Sequence, residues 1–426
     1  MDPTIYYSLK LNAFMLLSIL SSTIASKPLV TNTQPKISNY PPFPTCPIKA
    51  SEIPLIQYLI PYDDDSPRCT PMPPHSNVPV FPYDRPPFHF ALNLEFIEAE
   101  WFLHGALGIG LDEIAPELAH GGPPPIDGQK ANLDEVTQRI ITEFAYQEVG
   151  HVRYIEAVFG PIQRPLIDIS RAHWAKLMNM ALGYKLDPPF DPFIDSLHYM
   201  VASYVLPYIG LNGYTGANPN LDGYRSKRSL AGLLGVESAQ DAILRGWLFE
   251  RLEDIVEPYN ITVAVFTDKI SQLRNRLAMC GIRDEGLIVP PELGAEMRIC
   301  TNVISANVDS ISYSRTPKEI LRIVYETGDE HTPGGFLPEG GNGEIARMYL
   351  EQYNPQPPEN SDKYFNYPGY DYEEYPYLEP PSYYGKYPYE GVPSYNKSPY
   401  KMPSKNKQNP NEKPQSYGAT PVNRKP

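Results

Sequence analysis

The sequence predicts an all-α protein, a bundle of long helices, for three reasons. Between residues 86 and 285, apolar residues recur at helical spacing, and no segment of any length alternates as a strand would. Proline- and glycine-rich breakers separate the helical segments, notably Gly121–Lys130 and Asp187–Pro192. A stretch of about 200 residues is also long enough to bury a sizeable hydrophobic core.

The first predicted helix begins near Phe88, after a proline-rich segment that lacks helical periodicity. Its apolar stripe includes Ala99 and Phe102. Glu95 lies within this stripe, and Glu98 lies one turn further on, at its border. We therefore expect at least one carboxylate of this helix to face the core.

The second long helix carries the most informative motif. Asn132, followed by Glu135, predicts a start that resembles a capping box. Glu148 and His151 lie three residues apart within the apolar stripe, so both face the same side of the helix. A buried carboxylate is costly unless something pairs with it, and a divalent metal ion held between helices is one such partner. A solvated helix face or a plain buried ion pair is the alternative.

Three further helices complete the predicted bundle. A shorter helix is expected at 169–182, and a third long helix should kink at Pro207 because proline cannot donate a backbone hydrogen bond. The fourth long helix, at 228–250, places Glu237 in its apolar stripe with Gln240 one turn further on. The sequence therefore turns a second carboxylate inward, with an amide beside it.

The bundle is followed by an amphipathic helix at 261–277 and by a short helix after Thr316. Thr316 and Glu319 form a capping box, and Pro317 occupies the first helical position. The glycine-rich segment Gly334–Gly343 is predicted to be a loop. The expected organisation is a signal peptide, a proline-rich arm, a helical bundle, a C-terminal extension and a low-complexity tail (1–25, 26–85, 86–285, 286–350 and 351–426).

The chain carries a net charge of −14, which argues against nucleic acid or an anionic membrane surface as a partner. Lys10 precedes an apolar run, Leu11–Ile24, that ends in small residues, and this pattern is typical of a secretory signal peptide cleaved after about Ala25. The run is too short for a stable membrane span, and no later segment is long and apolar enough to form one. The sequence therefore predicts a secreted, extracellular protein.

Export would permit disulfides, and the chain has four cysteines. None belongs to a Cys-x-x-Cys pair, which argues against a zinc knuckle or a redox dithiol. Of the three possible connectivities, proximity in the sequence favours Cys46–Cys69 and Cys280–Cys300. The two candidate sites of N-glycosylation are Asn260 and Asn396.

The tail from Glu351 onward is rich in tyrosine and proline and nearly lacks aliphatic residues, so we expect it to be disordered or polyproline-like. Its Tyr-Pro units, such as Tyr367-Pro368 and Tyr375-Pro376, resemble low-complexity cell-wall segments. The tail could associate with wall polysaccharide or wall proteins. A solvated segment without a specific partner is the alternative.

Several separate motifs between about Pro86 and Tyr349 share one resemblance. They read FALNLEFIEAEWFLHGALGIGLDEIAPELAHGGPPP, QEVGH, GLNGYTGANPNLDGY, LLGVESAQDAILRGWL and RTPKEILRIVYETG. These segments closely resemble the plant desiccation-related proteins, which are secreted members of the ferritin-like superfamily. The resemblance implies a ferritin-like four-helix bundle with an additional C-terminal helix, located in the apoplast or cell wall.

The resemblance also implies a metal site, but this sequence departs from the ferritin-like pattern at two positions. Metal-binding relatives carry a second Glu-x-x-His on the fourth helix, where this chain has Gln240 in place of histidine. On the third helix they carry a glutamate, where this chain has Pro207. The positions of this chain that match the ferritin-like ligand pattern leave six candidate ligands: Glu95, its rival Glu98, Glu148, His151, Glu237 and Gln240.

Two interpretations of this degenerate site follow. A di-iron oxidase needs two ions and about six protein ligands, so the loss should severely weaken the second position. One iron, manganese or zinc ion could remain, bound by two or three carboxylates and His151. Alternatively, the residues form a hydrogen-bonded structural cluster in which Gln240 donates to Glu237 and His151 pairs with Glu148.

Three hypotheses of function result. The first is a secreted, stress-related protein of the desiccation-related family with a non-catalytic protective role. The second is a metal-dependent oxidase, ferroxidase or metal binder that uses the residual half-site. The third is a structural cell-wall protein that acts through its Tyr/Pro-rich tail.

Overall fold

The computed structural model describes residues 80–351, and within them the chain is mainly helical. This confirms the predicted all-α class. The predictions that concern the signal peptide, most of the arm, nearly all of the tail, Cys46, Cys69 and Asn396 lie outside the described residues. No helix within 80–351 combines the length and apolar character needed to cross a membrane.

The described helices follow the predicted order. They are α1 (Arg85–Leu107), α2 (Leu111–Ile114), α3 (Glu135–Phe159), α4 (Arg171–Leu182), α5 (Ser196–Ser203), α6 (Pro207–Ala217), α7 (Tyr224–Phe249), α8 (Val263–Ala278), α9 (Pro317–Val324) and α10 (Glu344–Glu351). Two-residue strands β1 (Ile255–Val256) and β2 (Ile261–Thr262) form an antiparallel hairpin before α8. Short 3₁₀ turns lie at Pro82–Asp84, Pro116–Ala119, Asn218–Asn220, Pro291–Leu293 and Ala295–Met297.

The bundle consists of two helix pairs. Helix α1 packs along α3, α6 packs along α7, and contacts between α1 and α6 join the pairs into a four-helix bundle. Helix α8 packs against α4 and α9, while α10 packs against α1. Helix α1 is therefore covered on nearly every side, which explains why its buried residues include three glutamates as well as apolar side chains.

The predicted kink at Pro207 is confirmed as a break between α5 and α6. Because proline interrupts the helical ladder, the carbonyls of the preceding turn need other donors. The buried guanidinium of Arg274 supplies them, since its Nη1 lies 2.7 Å from the carbonyl oxygen of Tyr204 and 2.9 Å from that of Val205. The break thus lets α6 take its own direction against α7.

The capping box at Thr316 is confirmed, but the predicted start of α3 at Asn132 is wrong by two residues. Asp134 is the N-cap, and its carboxylate accepts hydrogen bonds from the backbone amides of Val136 and Thr137. The side-chain amide of Asn132 donates instead to the carbonyl of Ile194. A contact that is distant in the sequence therefore competes successfully for this side chain.

The predicted Cys280–Cys300 disulfide is not present, because both thiols are free and exposed. Cys280 follows α8, and its Sγ lies 4.0 Å from Nη1 of Arg322 in α9. Cys300 lies in a loop, and its carbonyl oxygen accepts a hydrogen bond from the backbone amide of Val289. The backbone amide of Asn302 donates in turn to the carbonyl oxygen of Leu287. This loop pairs with residues well beyond Cys280, so proximity in the sequence does not bring the two thiols together.

A buried carboxyl beneath α4 makes the fold sensitive to pH. Glu326 Oε1 lies 3.1 Å from Nε2 of His173, and burial raises the pKa of Glu326 to about 8 although Lys176 opposes the shift and Asp168 adds to it. Burial likewise lowers the pKa of His173 to about 4. Both side chains are therefore neutral in the folded protein near pH 7.

We expect the free energy of unfolding to fall as pH rises from 6.5 to 8, because folded Glu326 keeps a proton that the unfolded chain has already released. Glu326→Gln should make this fall shallower by up to about 2 kcal/mol, as one proton contributes at most about 1.4 kcal/mol per pH unit. Urea unfolding of both proteins at pH 6.5 and at pH 8, the two ends of this range, measures the fall in the free energy of unfolding. Glu292→Gln, at an exposed site, is the control and should leave the slope unchanged.

Candidate metal centre

Four side chains from three helices meet at the centre of the bundle. Glu95 of α1, Glu148 and His151 of α3, and Glu237 of α7 are all buried, and each places one ligand atom within 4.8 Å of the others. We call these four residues the Glu/His cluster. The predicted convergence of Glu95, Glu148, His151 and Glu237 in one interior pocket is what the structure has.

The imidazole of His151 lies in the middle of this cluster. Its Nδ1 is 3.0 Å from Oε2 of Glu95, 3.2 Å from Oε2 of Glu148 and 3.4 Å from Oε1 of Glu237. His151 is also the most accessible member, with 8% of its surface exposed, while Glu148 and Glu237 are fully buried. The cluster thus approaches solvent at one edge only.

Two polar side chains outside the cluster fix its orientation. Tyr214 of α6 donates its hydroxyl hydrogen to Oε1 of Glu95, which leaves Oε2 of Glu95 facing His151. Gln240 of α7 donates its amide to Oε1 of Glu148 at 2.6 Å. One interpretation of the sequence had Gln240 donating to Glu237. The structure shows instead that Gln240 donates to Glu148.

Several buried acceptor oxygens at this site have no hydrogen-bond donor among residues 80–351. They are Oε2 of Glu98, Oε2 of Glu237 and Oε1 of Gln240, while Oε1 of Glu237 has the 3.4 Å contact with Nδ1 of His151. The exposure of these three residues is 2%, 0% and 1%. Buried polar atoms are nearly always partnered in folded proteins, so a group of unpartnered acceptors indicates a place for a cation or another donor.

The structure corrects which residue of the third long helix faces the cluster. Pro207 begins α6, but Gly210, one turn later, lies against Glu237: a Cβ added there would be 3.1 Å from Oε2 of Glu237 and 3.8 Å from Oε1 of Glu98. Tyr214, one further turn along, reaches Glu95. Helix α6 therefore presents a glycine packed closely against Glu237, and a hydroxyl, where a ferritin-like metal site would have a carboxylate.

Burial and mutual repulsion determine the charges of the cluster. Burial alone would raise the pKa of Glu95, but the imidazolium of His151 outweighs it and lowers that pKa. Burial would lower the pKa of His151, but Glu95 and Glu148 raise it strongly. Burial and the neighbouring charge of Glu237 raise the pKa of both Glu98 and Glu148, and burial raises that of Glu237 itself to about 7.

These residues fit a metal ion. Carboxylate oxygens with one imidazole suit iron, manganese or zinc, and the pocket is closed enough to hold an ion away from bulk water. Without a cation, protons on Glu98 and Glu148 must neutralise the pocket. With a cation, those carboxylates can ionise and the unpartnered Oε2 of Glu237 gains a partner.

A second group of possible ligands, Asp329, Glu330 and His331, is already occupied by protein contacts. Glu330 forms a two-pronged ion pair with Arg322 at 2.6 and 3.1 Å. Asp329 accepts from the backbone amide of His331 and from the hydroxyl of Thr332. This group therefore stabilises the loop after α9 and is a poor site for an ion.

Sequence periodicity identified the buried acids but not the residues around them. Glu98, expected at the border of its stripe, is 2% exposed, and it lies outside the Glu/His cluster. Tyr214 and Gly210 were missed, although both follow Pro207 at one-turn intervals that only the position of the break could have revealed. Gln147, whose Oε1 accepts from Gln240 at 3.1 Å, carried no sequence signal.

Comparison with known proteins agrees with this architecture. The ferritin-like domain family matches residues 84–250. Ferritin-like catalase Nec2 of Nesocodon mauritianus is 60% identical over 284 residues, which span 67% of this chain and 91% of that protein. Desiccation-related protein PCC13-62 of Craterostigma plantagineum is 50% identical over 259 residues, which span 61% of this chain and 83% of that protein. No solved structure gives a significant match.

In protein stripped of metal by a chelator, Glu237→Gln should raise the free energy of unfolding by about 1–3 kcal/mol, because it removes a buried carboxylate whose Oε2 has no donor among the described residues. Urea unfolding of the two proteins measures the difference. Glu319→Gln is the matched control: Glu319 is also buried, but it accepts from Arg283 and from the amide of Thr316, so its loss should destabilise. Equal destabilisation by both substitutions would contradict the assignment of Oε2 of Glu237 as an oxygen without a donor.

Proposed function

This chain belongs to the desiccation-related family of ferritin-like proteins, and we propose that it is a metal-dependent enzyme that consumes hydrogen peroxide. The observation that carries this proposal is the pair of buried carboxylate oxygens without donors among the described residues, Oε2 of Glu98 and Oε2 of Glu237, near the imidazole of His151. The name of the 60% identical relative, a catalase, supports peroxide as the substrate. Protection during drying is then a consequence of peroxide removal.

The accessible edge of the site supports a small substrate. His151, with 8% of its surface exposed, is the most accessible residue of the cluster, and such limited access favours a small substrate such as hydrogen peroxide over a bulky organic one. Phe144 and Val152, one turn before and one turn after Glu148 on α3, are buried and apolar. They keep bulk water from the cluster, which strengthens every charge interaction inside it.

Glu95, Glu148, His151 and Glu237 would hold the ion. A bound iron or manganese ion supplies the redox chemistry by which one peroxide molecule is reduced to water while another is oxidised to oxygen. Tyr214 donates to Oε1 of Glu95, which turns Oε2 of that carboxylate toward Nδ1 of His151, where the ion would bind. The amide of Gln240 likewise donates to Oε1 of Glu148, whose Oε2 faces His151.

After loading with manganese or iron, the protein should release oxygen from hydrogen peroxide. His151→Gln should lower the rate at least on the order of 100-fold, because changes even to outer-shell partners of a metal cost about 10–100-fold. An oxygen electrode measures the rate, and metal analysis runs in parallel. Glu135→Gln, on the exposed first turn of the same helix, should leave both unchanged.

A non-catalytic protective role is the second candidate, and the position of Gln240 favours it. Its amide donates to Glu148, so part of the cluster is satisfied without an ion. Substoichiometric metal that His151→Gln does not alter, together with no oxygen release, would favour this role over the enzyme.

We further propose that the protein is exported and that the tail from Glu351 associates with the cell wall, as the signal-like N-terminus and the Tyr-Pro units indicate. Asn260 supports export, because it lies exposed at the turn between β1 and β2, where a glycan would meet no packed surface.

If the chain passes through the secretory pathway, protein from plant apoplast should carry a glycan at Asn260. Glycosidase treatment should then reduce its mass, and Asn260→Gln should abolish that part of the change. Intact-mass spectrometry of the secreted protein measures both. Unmodified Asn260 in protein recovered from inside the cell would argue against export.

A further inference from the structure

We propose that the part of the N-terminal arm between Cys46 and Cys69 covers an apolar surface of the C-terminal extension and is joined to it by two disulfides, one at Cys280 and one at Cys300. We call residues 46–69 the covering segment; it lies outside the described residues. This proposal is independent of the peroxide chemistry. It rests on the proposed export, because disulfides form and persist in oxidising compartments.

The state of the cysteines limits the possible pairings. Cys280 and Cys300 are both free and exposed, so the connectivity that joins them to each other is not the one this fold favours. The two other connectivities that use all four cysteines each join both Cys46 and Cys69 to the extension. An exported protein that oxidises all its thiols would therefore link the arm to the extension twice.

The surface around Cys280 and Cys300 exposes many apolar side chains. Of the eighteen large apolar side chains that are exposed within residues 80–351, seven lie within 279–311. They are Met279, Ile282, Ile288, Met297, Ile299, Ile304 and Ile311. Single exposed apolar residues need no explanation, but a dense group of them marks an interaction surface.

Backbone pairing brings part of this group together next to Cys300. The amide of Val289 donates to the carbonyl oxygen of Cys300, and Ile288 pairs with Thr301 in an antiparallel bridge. Side chains alternate between the two faces of such a pairing, so Ile288 and Ile299 project from the same face. Both are exposed, so this face has no cover among the described residues.

A second pair of loops lies beside Cys280. Nη1 of Arg283 is 3.1 Å from the carbonyl oxygen of Ser314, so Ile282 and Ile311 stand in neighbouring loops. Each of these two isoleucines is 62% exposed. Both exposed thiols thus lie beside uncovered apolar side chains.

The covering segment has the features that match this surface. It is bounded by the other two cysteines of the chain, and its middle, IPLIQYLI at residues 53–60, is strongly apolar. Asp63–Asp65 follow that run, while Arg298 of the extension is exposed and its side chain has no partner among the described residues. Apolar contact and opposite charge therefore favour the same occupant.

The chain is long enough to place the covering segment there. Val80, the first described residue, is eleven positions after Cys69, and an extended chain spans at most about 3.3–3.6 Å per residue, or about 36–40 Å here. Helix α7, the longest of the described helices, has 26 residues and is about 39 Å long. The connection can therefore cross a distance equal to the longest helix.

Each disulfide forms by exchange with a small-molecule disulfide such as oxidised glutathione. One protein thiolate attacks this disulfide and releases a glutathione thiol, and the second protein thiolate attacks the mixed disulfide and releases another. The two cysteines are oxidised, and the glutathione disulfide is reduced to two thiols.

The test uses the full-length protein, reduced without unfolding and reoxidised in a glutathione buffer, so that its result does not depend on export. Lysine or arginine lies between each cysteine and the next, so trypsin places the four on separate peptides. Mass spectrometry of the unreduced digest should find one of Cys46 and Cys69 joined to Cys280 and the other to Cys300. Thiol titration should find none free. Cys280→Ser should free one thiol per chain and retain one of the two links.

Ile304→Ser tests the apolar contact. Ile304 is 74% exposed within the described residues, so without a cover its substitution should leave the disulfides unchanged. Beneath the covering segment, it should lower the equilibrium constant for the two links against glutathione about tenfold, because serine removes buried apolar area. Val136→Ser, at a 61% exposed site on α3, is the control and should leave that constant unchanged.

The outcomes separate this inference from the other proposals. Cys46 bonded to Cys69, Cys280 bonded to Cys300, or four free thiols after reoxidation would each overturn it. Equal effects of Ile304→Ser and Val136→Ser would overturn the cover. None of these results touches the enzyme proposal, since no cysteine belongs to the Glu/His cluster. A failure of export would show separately, as unmodified Asn260.

Discussion

The structure depends on one constraint: four glutamates and a single imidazole lie in the interior of a four-helix bundle. Glu98 and Glu148, with Glu95 and Glu237, would bring four negative charges against one positive charge if all were ionised. Such an imbalance is not sustainable away from water. Protons or cations must therefore occupy this pocket, and the enzymatic and the non-catalytic role differ in which of them does so.

The helices are arranged so that this pocket stays dry and rigid. Pro207 breaks the third long helix, and Arg274 donates hydrogen bonds to the backbone carbonyls exposed at the break. The break sets the direction of α6, which places Gly210 and Tyr214 against the acids of α1 and α7. A substitution at Pro207 would therefore disturb the site, although Pro207 is not itself one of the cluster residues.

Much of the fold and part of the site could be predicted from the sequence, because helical periodicity reports burial directly. Glu95, Glu148, His151 and Glu237 stand in apolar stripes, and the structure buries all of them. Periodicity cannot report relations between helices. The role of Gly210 depends on the absence of a side chain, and the pairing of Asn132 with Ile194 or the separation of Cys280 from Cys300 depends on contacts distant in the sequence.

Some buried acids of this chain are paired with arginine, whereas Glu326 and the acids of the central pocket are not paired with arginine among the described residues. Glu319 is paired with Arg283, and Asp284 is paired with Arg274. The fold can therefore satisfy a buried carboxylate with a guanidinium where structure alone is at stake. Glu237 has no guanidinium partner: its Oε1 lies 3.4 Å from Nδ1 of His151, and its Oε2 packs closely against Gly210. A cation bound by the acids of the central pocket would supply the positive charge that arginine supplies to Glu319 and Asp284.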